Sequence, residues 1–272
     1  MQLTSTNSSI GLIYALKKIF KKLFDINVKC KYGSTKVNFA KNMPYLKKLK
    51  ILSIIPARSG SKSIKNKNII LFKNKPLIYH TIKSAIKSKY INKILVSTDS
   101  KKYQKLSIKY GAEVPFLRPK NISKDNSHDK ELVVHALKFF LKKNYFPDLI
   151  IYLRPTTPNR DAKIIDKGIK YFFKNMKKFN SMRSVSVVSQ PPQKLFKLKN
   201  KSLVGFFDKN LKGEYHSLPR QKYSQAYLPN GYVDILKPNF FFKNKKNVFF
   251  GKRILAYLTK RTLDIDLKED LK

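Results

Sequence analysis

The chain reads as an α/β fold, a mainly parallel sheet flanked by helices with one irregular segment protruding from it. Three observations predict this. From residue 50 onward, short apolar runs alternate with amphipathic helical stretches, the pattern of a sheet whose crossovers are helices. The apolar runs end in polar, loop-forming residues, as strands do where an open sheet presents its carboxyl ends to a ligand. Residues 190–230 break the rhythm with Pro-punctuated aromatic sequence and no clear helix.

Taken in order, residues 51–55 are the first strand, opening into a small-residue loop and then a helix over about 78–88. Residues 94–97 are a second strand, ending at Ser97-Thr98-Asp99. A helix over about 101–110 leads to Gly111, well placed as its C-cap. Residues 114–117 are expected as a third short strand, and 129–142 as a helix. The next strand, 149–153, ends at Arg154-Pro155-Thr156-Thr157-Pro158. Residues 162–174 read as helix, 184–188 as strand, and 232–236 as the strand that returns to the sheet after the irregular segment. A loop region of that length inside a compact domain is usually functional.

Composition bounds the partners. The 272 residues, 42% hydrophobic with 15 Tyr and 19 Phe, suffice for one large α/β domain with an appendage. The formal charge of +43 invites a nucleic-acid or membrane reading. The lysines, however, are spread along the whole chain rather than gathered on one face or tail. They accompany frequent Asn and Ile, which share AT-rich codons, so no specific nucleic-acid partner is expected. Cys30 is the only cysteine, which leaves no intrachain disulfide and no thiolate metal cluster. His80, His128, His135 and His216 lack metal-ligand spacing, and His80 and His135 read as packed imidazoles.

Residues 1–49 form a basic extension of unknown role. Ile10, Leu12, Ile13, Leu16, Ile19, Phe20, Leu23 and Phe24 fall at helical spacing among lysines. Such a helix can lie weakly on an anionic membrane surface, dock on a protein, or precede a start at Met43. No signal-peptide pattern and no membrane-spanning run is present, so a cytoplasmic location is expected.

The loop behind the first strand carries the chemistry. Residues 56–68 read Pro-Ala-Arg-Ser-Gly-Ser-Lys-Ser-Ile-Lys-Asn-Lys-Asn. Small residues let backbone N–H groups approach a phosphate chain while cationic side chains neutralise it. Neither the Gly-Lys-Ser/Thr ending of a P-loop nor the glycine spacing of a dinucleotide fingerprint is present. Near the end of the chain, Asp264 and Asp266 are one residue apart. In an extended segment they point to the same side and can share a hard cation such as Mg²⁺.

Over about residues 50–272 the chain resembles the acylneuraminate cytidylyltransferases, the synthetases of CMP-sialic acid and related CMP-nonulosonic acids. The resemblance rests on Ala57, Arg58, Ser61, Lys62, Lys67 and Asn68 in the loop, Lys75-Pro76-Leu77, Ser97-Thr98-Asp99 and Gly111-Ala112-Glu113-Val114. It continues through Leu117-Arg118-Pro119, Leu153–Arg160, Pro219-Arg220-Gln221, Pro229-Asn230-Gly231 and Asp264-Ile265-Asp266. It implies a Rossmann-like sheet of the nucleotide-diphospho-sugar transferase type, with residues 190–230 as the sugar-side and dimerisation segment of a homodimer. It implies a bacterial Mg²⁺-dependent enzyme moving CMP from CTP to the anomeric hydroxyl of an acidic nine-carbon keto-sugar. Arg58, Lys62 and Lys67 would hold the triphosphate. Ala57, Ser61, Asn68, Arg118, Asp125 and Ser127 would complete the nucleotide site, with Asn68 on the ribose and the 125–129 turn against the cytosine. Arg154, Thr156, Arg160, Arg220 and Asn230 would face the sugar, Arg220 in its own or the partner's site, and Asp264 and Asp266 would hold Mg²⁺. Ser63, Asp129, Arg154 (usually Gln) and Leu228 depart from the family pattern, so legionaminic or pseudaminic acid is as good an acceptor as N-acetylneuraminate. A related nucleotidyltransferase with another sugar acid or nucleotide, or a degenerate basic nucleic-acid- or membrane-binding protein, are the alternatives.

Overall fold

A computed structural model describes residues 43–211, 213–243 and 248–271. The amphipathic stretch 10–24, with its membrane contact, and Cys30 lie outside the described residues. Six helices are α1 (Met43–Lys48), α2 (Leu77–Ile86), α3 (Lys101–Lys109), α4 (Asp129–Lys142), α5 (Ala162–Asn175) and α6 (Pro238–Lys243). The strands are β1 (Ile51–Pro56), β2 (Leu71–Phe72), β3 (Lys75–Pro76), β4 (Lys93–Ser97), β5 (Leu149–Tyr152) and β6 (Ser181–Val187). They continue with β7 (Phe196–Lys199), β8 (Ser202–Gly205), β9 (Tyr227–Leu236) and β10 (Ile254–Leu258).

The main sheet has the order β10-β6-β9-β5-β1-β4. Its pairings are parallel except at β9, which runs against both β5 and β6. β1 is an interior strand next to the edge strand β4, and it is apolar on both faces, as a strand covered by helices on each side must be. Ile51 and Ile55 face a cluster with Ile78, Ile82, Val96, Ile165, Ile169 and Phe172. Leu52 and Ile54 face the opposite cluster with Leu132, Leu137, Phe140, Tyr152 and Phe241.

Most expected elements are present within a few residues, α4 with the expected bounds, and Gly111 takes φ 97° just past α3. Two expected strands need correction. The strand expected at 114–117 does not form; pairing stops at a single bridge between Leu95 and Glu113, because Pro115 has no N–H with which to extend a ladder. The strand expected at 232–236 begins at Tyr227, five residues earlier. It absorbs Pro229-Asn230-Gly231 through a register shift opposite Arg183 and Val185. β10 and the β7–β8 hairpin were not expected, and Asn200 takes φ 53° in the hairpin turn. Leu46 and Leu49, just before the start expected for the domain, are buried in the core. No described helix is long and apolar enough to cross a membrane.

Candidate active site

The loop after β1 is held as a fixed scaffold. Ala57 N–H donates to Ser97 O at the end of β4 (2.9 Å). Asp99 accepts from Ser59 N–H (2.8 Å) and the Ser59 hydroxyl (3.1 Å). Asn68 Nδ2 donates to Arg58 O (2.9 Å), drawing the two ends of the loop together. Asn66 takes a left-handed φ of 57°, and its side chain accepts from the Tyr103 hydroxyl (3.2 Å).

The cations of the loop meet carboxylates. Arg58 pairs with Asp125 and also donates to Gly60 O, while Lys62 reaches the other oxygen of Asp125 at 2.9 Å. Lys62 is 84% exposed in its side chain. Together the two cations hold the Asp125 carboxyl below the usual carboxylate range. Lys67, only 10% exposed, donates to Asp266 Oδ1 (2.8 Å) and to Asp266 O (3.1 Å).

Arg58, Asp125 and Lys67 line a cleft of about 300 Å³ beyond the carboxyl ends of β1 and β5, whereas Lys62 and Asp266 lie outside its lining. Of the expected residues, Arg58, Ser61, Lys67 and Asn68 line it from the loop, and Arg118, Asp125 and Ser127 from the segment before α4. Arg154 and Thr156 line it from the turn after β5. Arg118 donates through a terminal nitrogen to Ser97 O (2.8 Å), and its Nε has no partner. Burial lowers its pKa. Ala57 is fully buried beneath the loop.

Asp264 and Asp266 stand at the cleft's edge. The segment between them is pinned by Ile265, which is fully buried with Ile64 and Leu77 and whose N–H donates to Thr156 O (2.8 Å). Both aspartates are exposed. Asp264 accepts from the Thr157 hydroxyl at 3.4 Å. Among the described residues no group of three or more His, Cys, Asp or Glu converges. Two carboxylates beside the cationic loop nevertheless fit Mg²⁺, which takes one or two protein carboxylates and completes its shell with phosphate and water.

Arg160 and Asn230 do not serve as expected. Arg160 donates through Nε to Tyr232 O (2.7 Å), through one terminal nitrogen to Thr81 Oγ1 (2.9 Å) and Thr157 O, and through the other to Arg154 O (2.5 Å) and Gly231 O (2.8 Å). That exhausts the donors of a guanidinium, so none is left for a sugar. Burial pulls its pKa down to about 9, with Asp264 opposing. Asn230 is likewise buried, donating to Thr259 Oγ1 (2.7 Å) and accepting from Tyr232 N–H (3.2 Å). Gly231 beside it has φ 66°, and a Cβ there would lie 2.7 Å from Thr157 Oγ1. Arg220 lines a separate hollow with Pro191, Gln221 and Tyr223.

Three residues that hold the site's loops and side chains escaped sequence reasoning. Asp99 was visible only as the end of a strand, not as the clasp of the loop. Asp234 lies inside the apolar stretch of β9, and Arg183 inside the serine-rich β6. Arg154 donates to Asp234 (2.6 Å) and to Asp129 (3.0 Å), and Arg183 lies 3.4 Å from the other Asp234 oxygen. The one available signal was an aspartate, 1% exposed, in the middle of Tyr-Val-Asp-Ile-Leu.

Residues 52–228 match the family described as cytidylyltransferase. The chain is 34% identical over 227 residues to the N-acylneuraminate cytidylyltransferase of Escherichia coli O18:K1:H7, covering 81% of this chain and 50% of that protein. It is 32% identical over 229 residues to the pseudaminic acid cytidylyltransferase of Campylobacter jejuni serotype O:23/36, covering 82% and 94%. The chain therefore spans half the length of the first relative and nearly all of the second. Among solved structures, a CMP:2-keto-3-deoxy-manno-octonic acid synthetase complexed with CTP shares the fold, with a TM-score of 0.59 at 14% identity, covering 82% of this chain and 95% of that one.

Proposed function

The chain belongs to the cytidylyltransferase family, and from that premise we propose that it transfers CMP from CTP to the anomeric hydroxyl of a nonulosonic acid. The hydroxyl oxygen bonds to the α-phosphorus, the α–β phosphoanhydride bond breaks, pyrophosphate leaves, and the hydroxyl proton passes to solvent. The observation that carries this reading is the cleft where Arg58 and Lys67 of a rigid loop share one wall system with Arg118 and Arg154. Crowded negative charge makes positioning and neutralisation the main catalytic tasks.

In this reading the triphosphate takes the place of Asp125 on Arg58 and Lys62. Lys67 supports the phosphates from the Asp266 side, Asn68 meets the ribose, and Arg118 and Ser127 face the base. Arg154 and Thr156 face the sugar. Asp264 and Asp266 would hold Mg²⁺, which supplies charge screening and a lowered pKa for the attacking hydroxyl. Pyrophosphate release from CTP, assayed over N-acetylneuraminate, legionaminic and pseudaminic acids, tests the reading. Release with one of them is expected. Release with none, alongside salt-sensitive nucleic-acid binding, would replace it with a nucleic-acid-binding role.

We also propose a homodimer formed through the β7–β8 arm, with Arg220 near the second copy. Support comes from Leu198 and Leu203, exposed at 75% and 67% on that arm, and from the exposure of Tyr227 and Leu228 at the start of β9. Sedimentation of the native protein should give twice the chain mass, and Leu198→Glu with Leu203→Glu should give the monomer.

A further inference from the structure

Ile54, Tyr152, Asp234 and Arg183 are register partners across β1, β5, β9 and β6, so their side chains form one row on one face of the sheet. That face is the apolar one packed under α4. A carboxylate buried there needs partners. Arg154 donates a hydrogen bond to one oxygen of Asp234, and Arg183 lies at ion-pair distance, 3.4 Å, from the other without a hydrogen bond.

Each guanidinium is in turn set against a ring: Arg154 lies 4.9 Å from the centroid of Tyr152, and Arg183 lies 4.1 Å from that of Phe250. The two cations differ in what they face. Arg154 lines the cleft and Arg183 does not. At the cleft lip Arg154 also donates to Asp129. A guanidinium carries more N–H donors than these two bonds use, so spare donors remain in the cleft wall.

We propose that Asp234, counterbalanced by Arg183, is a positioning residue that holds the Arg154 guanidinium in the cleft wall as the receptor for the acceptor's carboxylate. The proposal rests on the nonulosonic-acid reading above. Two-point recognition of a carboxylate needs a planar fork in a fixed orientation. A free arginine loses rotamer freedom on binding, whereas one already fixed by a buried carboxylate and an aromatic face has lost it beforehand.

The test separates KM for the sugar acid from KM for CTP. Asp234→Asn should raise the former about tenfold while leaving the latter within about twofold, because only a sugar-side contact is loosened. In an Arg154→Gln background, adding Asp234→Asn should change the sugar KM by less than about twofold, since the aspartate acts through the arginine. If Asp234→Asn does not fold, the charge-balanced Asp234→Asn/Arg183→Gln protein takes its place, with the same rise expected. The two KM values rising together, an unchanged sugar KM, or independent effects in the double variant would overturn the proposal. A native protein that turns over no nonulosonic acid would instead defeat the acceptor reading, and the carboxylate role with it. Native turnover with unaltered variant KM defeats the positioning role alone.

Discussion

Two arginine-bearing turns, the loop after β1 and the turn after β5, both leave the carboxyl end of an interior strand, yet they use their cations in opposite ways. In the first, Arg58 and Lys62 rest on Asp125, a carboxylate 39% exposed in its side chain. In the second, Arg160 is spent on one hydroxyl and four backbone carbonyls, and Arg154 is anchored on the buried Asp234. A wet carboxylate can yield its place to a polyphosphate at little cost, because water and the incoming anion replace the bond. A buried carbonyl cannot, because nothing solvates it once the donor leaves. Partner accessibility, more than residue type, divides exchangeable cations from structural ones.

The largest expected effect would break that division at its structural end. Arg160→Met should destabilise the protein by about 3–5 kcal/mol, the scale of breaking a buried charged network, read as a lowered urea midpoint. A variant of native stability with a selectively raised sugar KM would return Arg160 to the substrate. At the exchangeable end, Arg58→Ala and Lys62→Ala should each lower turnover by about 10²–10³ with the unfolding midpoint little changed. Near-native turnover in either purified variant removes that residue from the phosphate site.

The acidic pair sharpens the comparison, since Asp266 is both the wet partner of Lys67 and a proposed metal ligand. Asp266→Asn and Asp264→Asn should each shift the Mg²⁺ dependence of turnover upward by roughly tenfold, with losses less than additive if one ion is shared. Mg²⁺ titration curves identical to the native one would discard the metal role. The smallest effect is expected at Asp125. If it only occupies the phosphate cations in the free protein, Asp125→Asn should lower KM for CTP by about two- to fivefold, the scale of an exposed ion pair. A raised KM would mean that the residue touches the nucleotide.

Much of this could be read before any coordinates. The alternation of apolar runs and amphipathic helices located five of the six strands of the main sheet, and the loop residues 57–68 stood out by composition alone. The pattern failed where a local signal was overridden. Pro229-Asn230-Gly231 reads as a turn, yet pairing with β6 draws it into β9 through a bulge. Pro115 reads within an apolar run, yet its missing N–H reduces the strand to one bridge.

The sequence by itself determined the layer architecture, the cationic loop and the acidic pair, because periodicity, small residues and local charge are properties of neighbouring positions. Only the tertiary structure decided which cations remain free to exchange. Arg160 meets Tyr232 O across 72 positions, and Arg154 meets Asp234 across 80. The antiparallel insertion of β9 between β5 and β6 brings both acceptors to the turn after β5. A side chain's role there follows from whether its partner is dry or wet, and burial of a partner so distant in sequence is written in no local pattern.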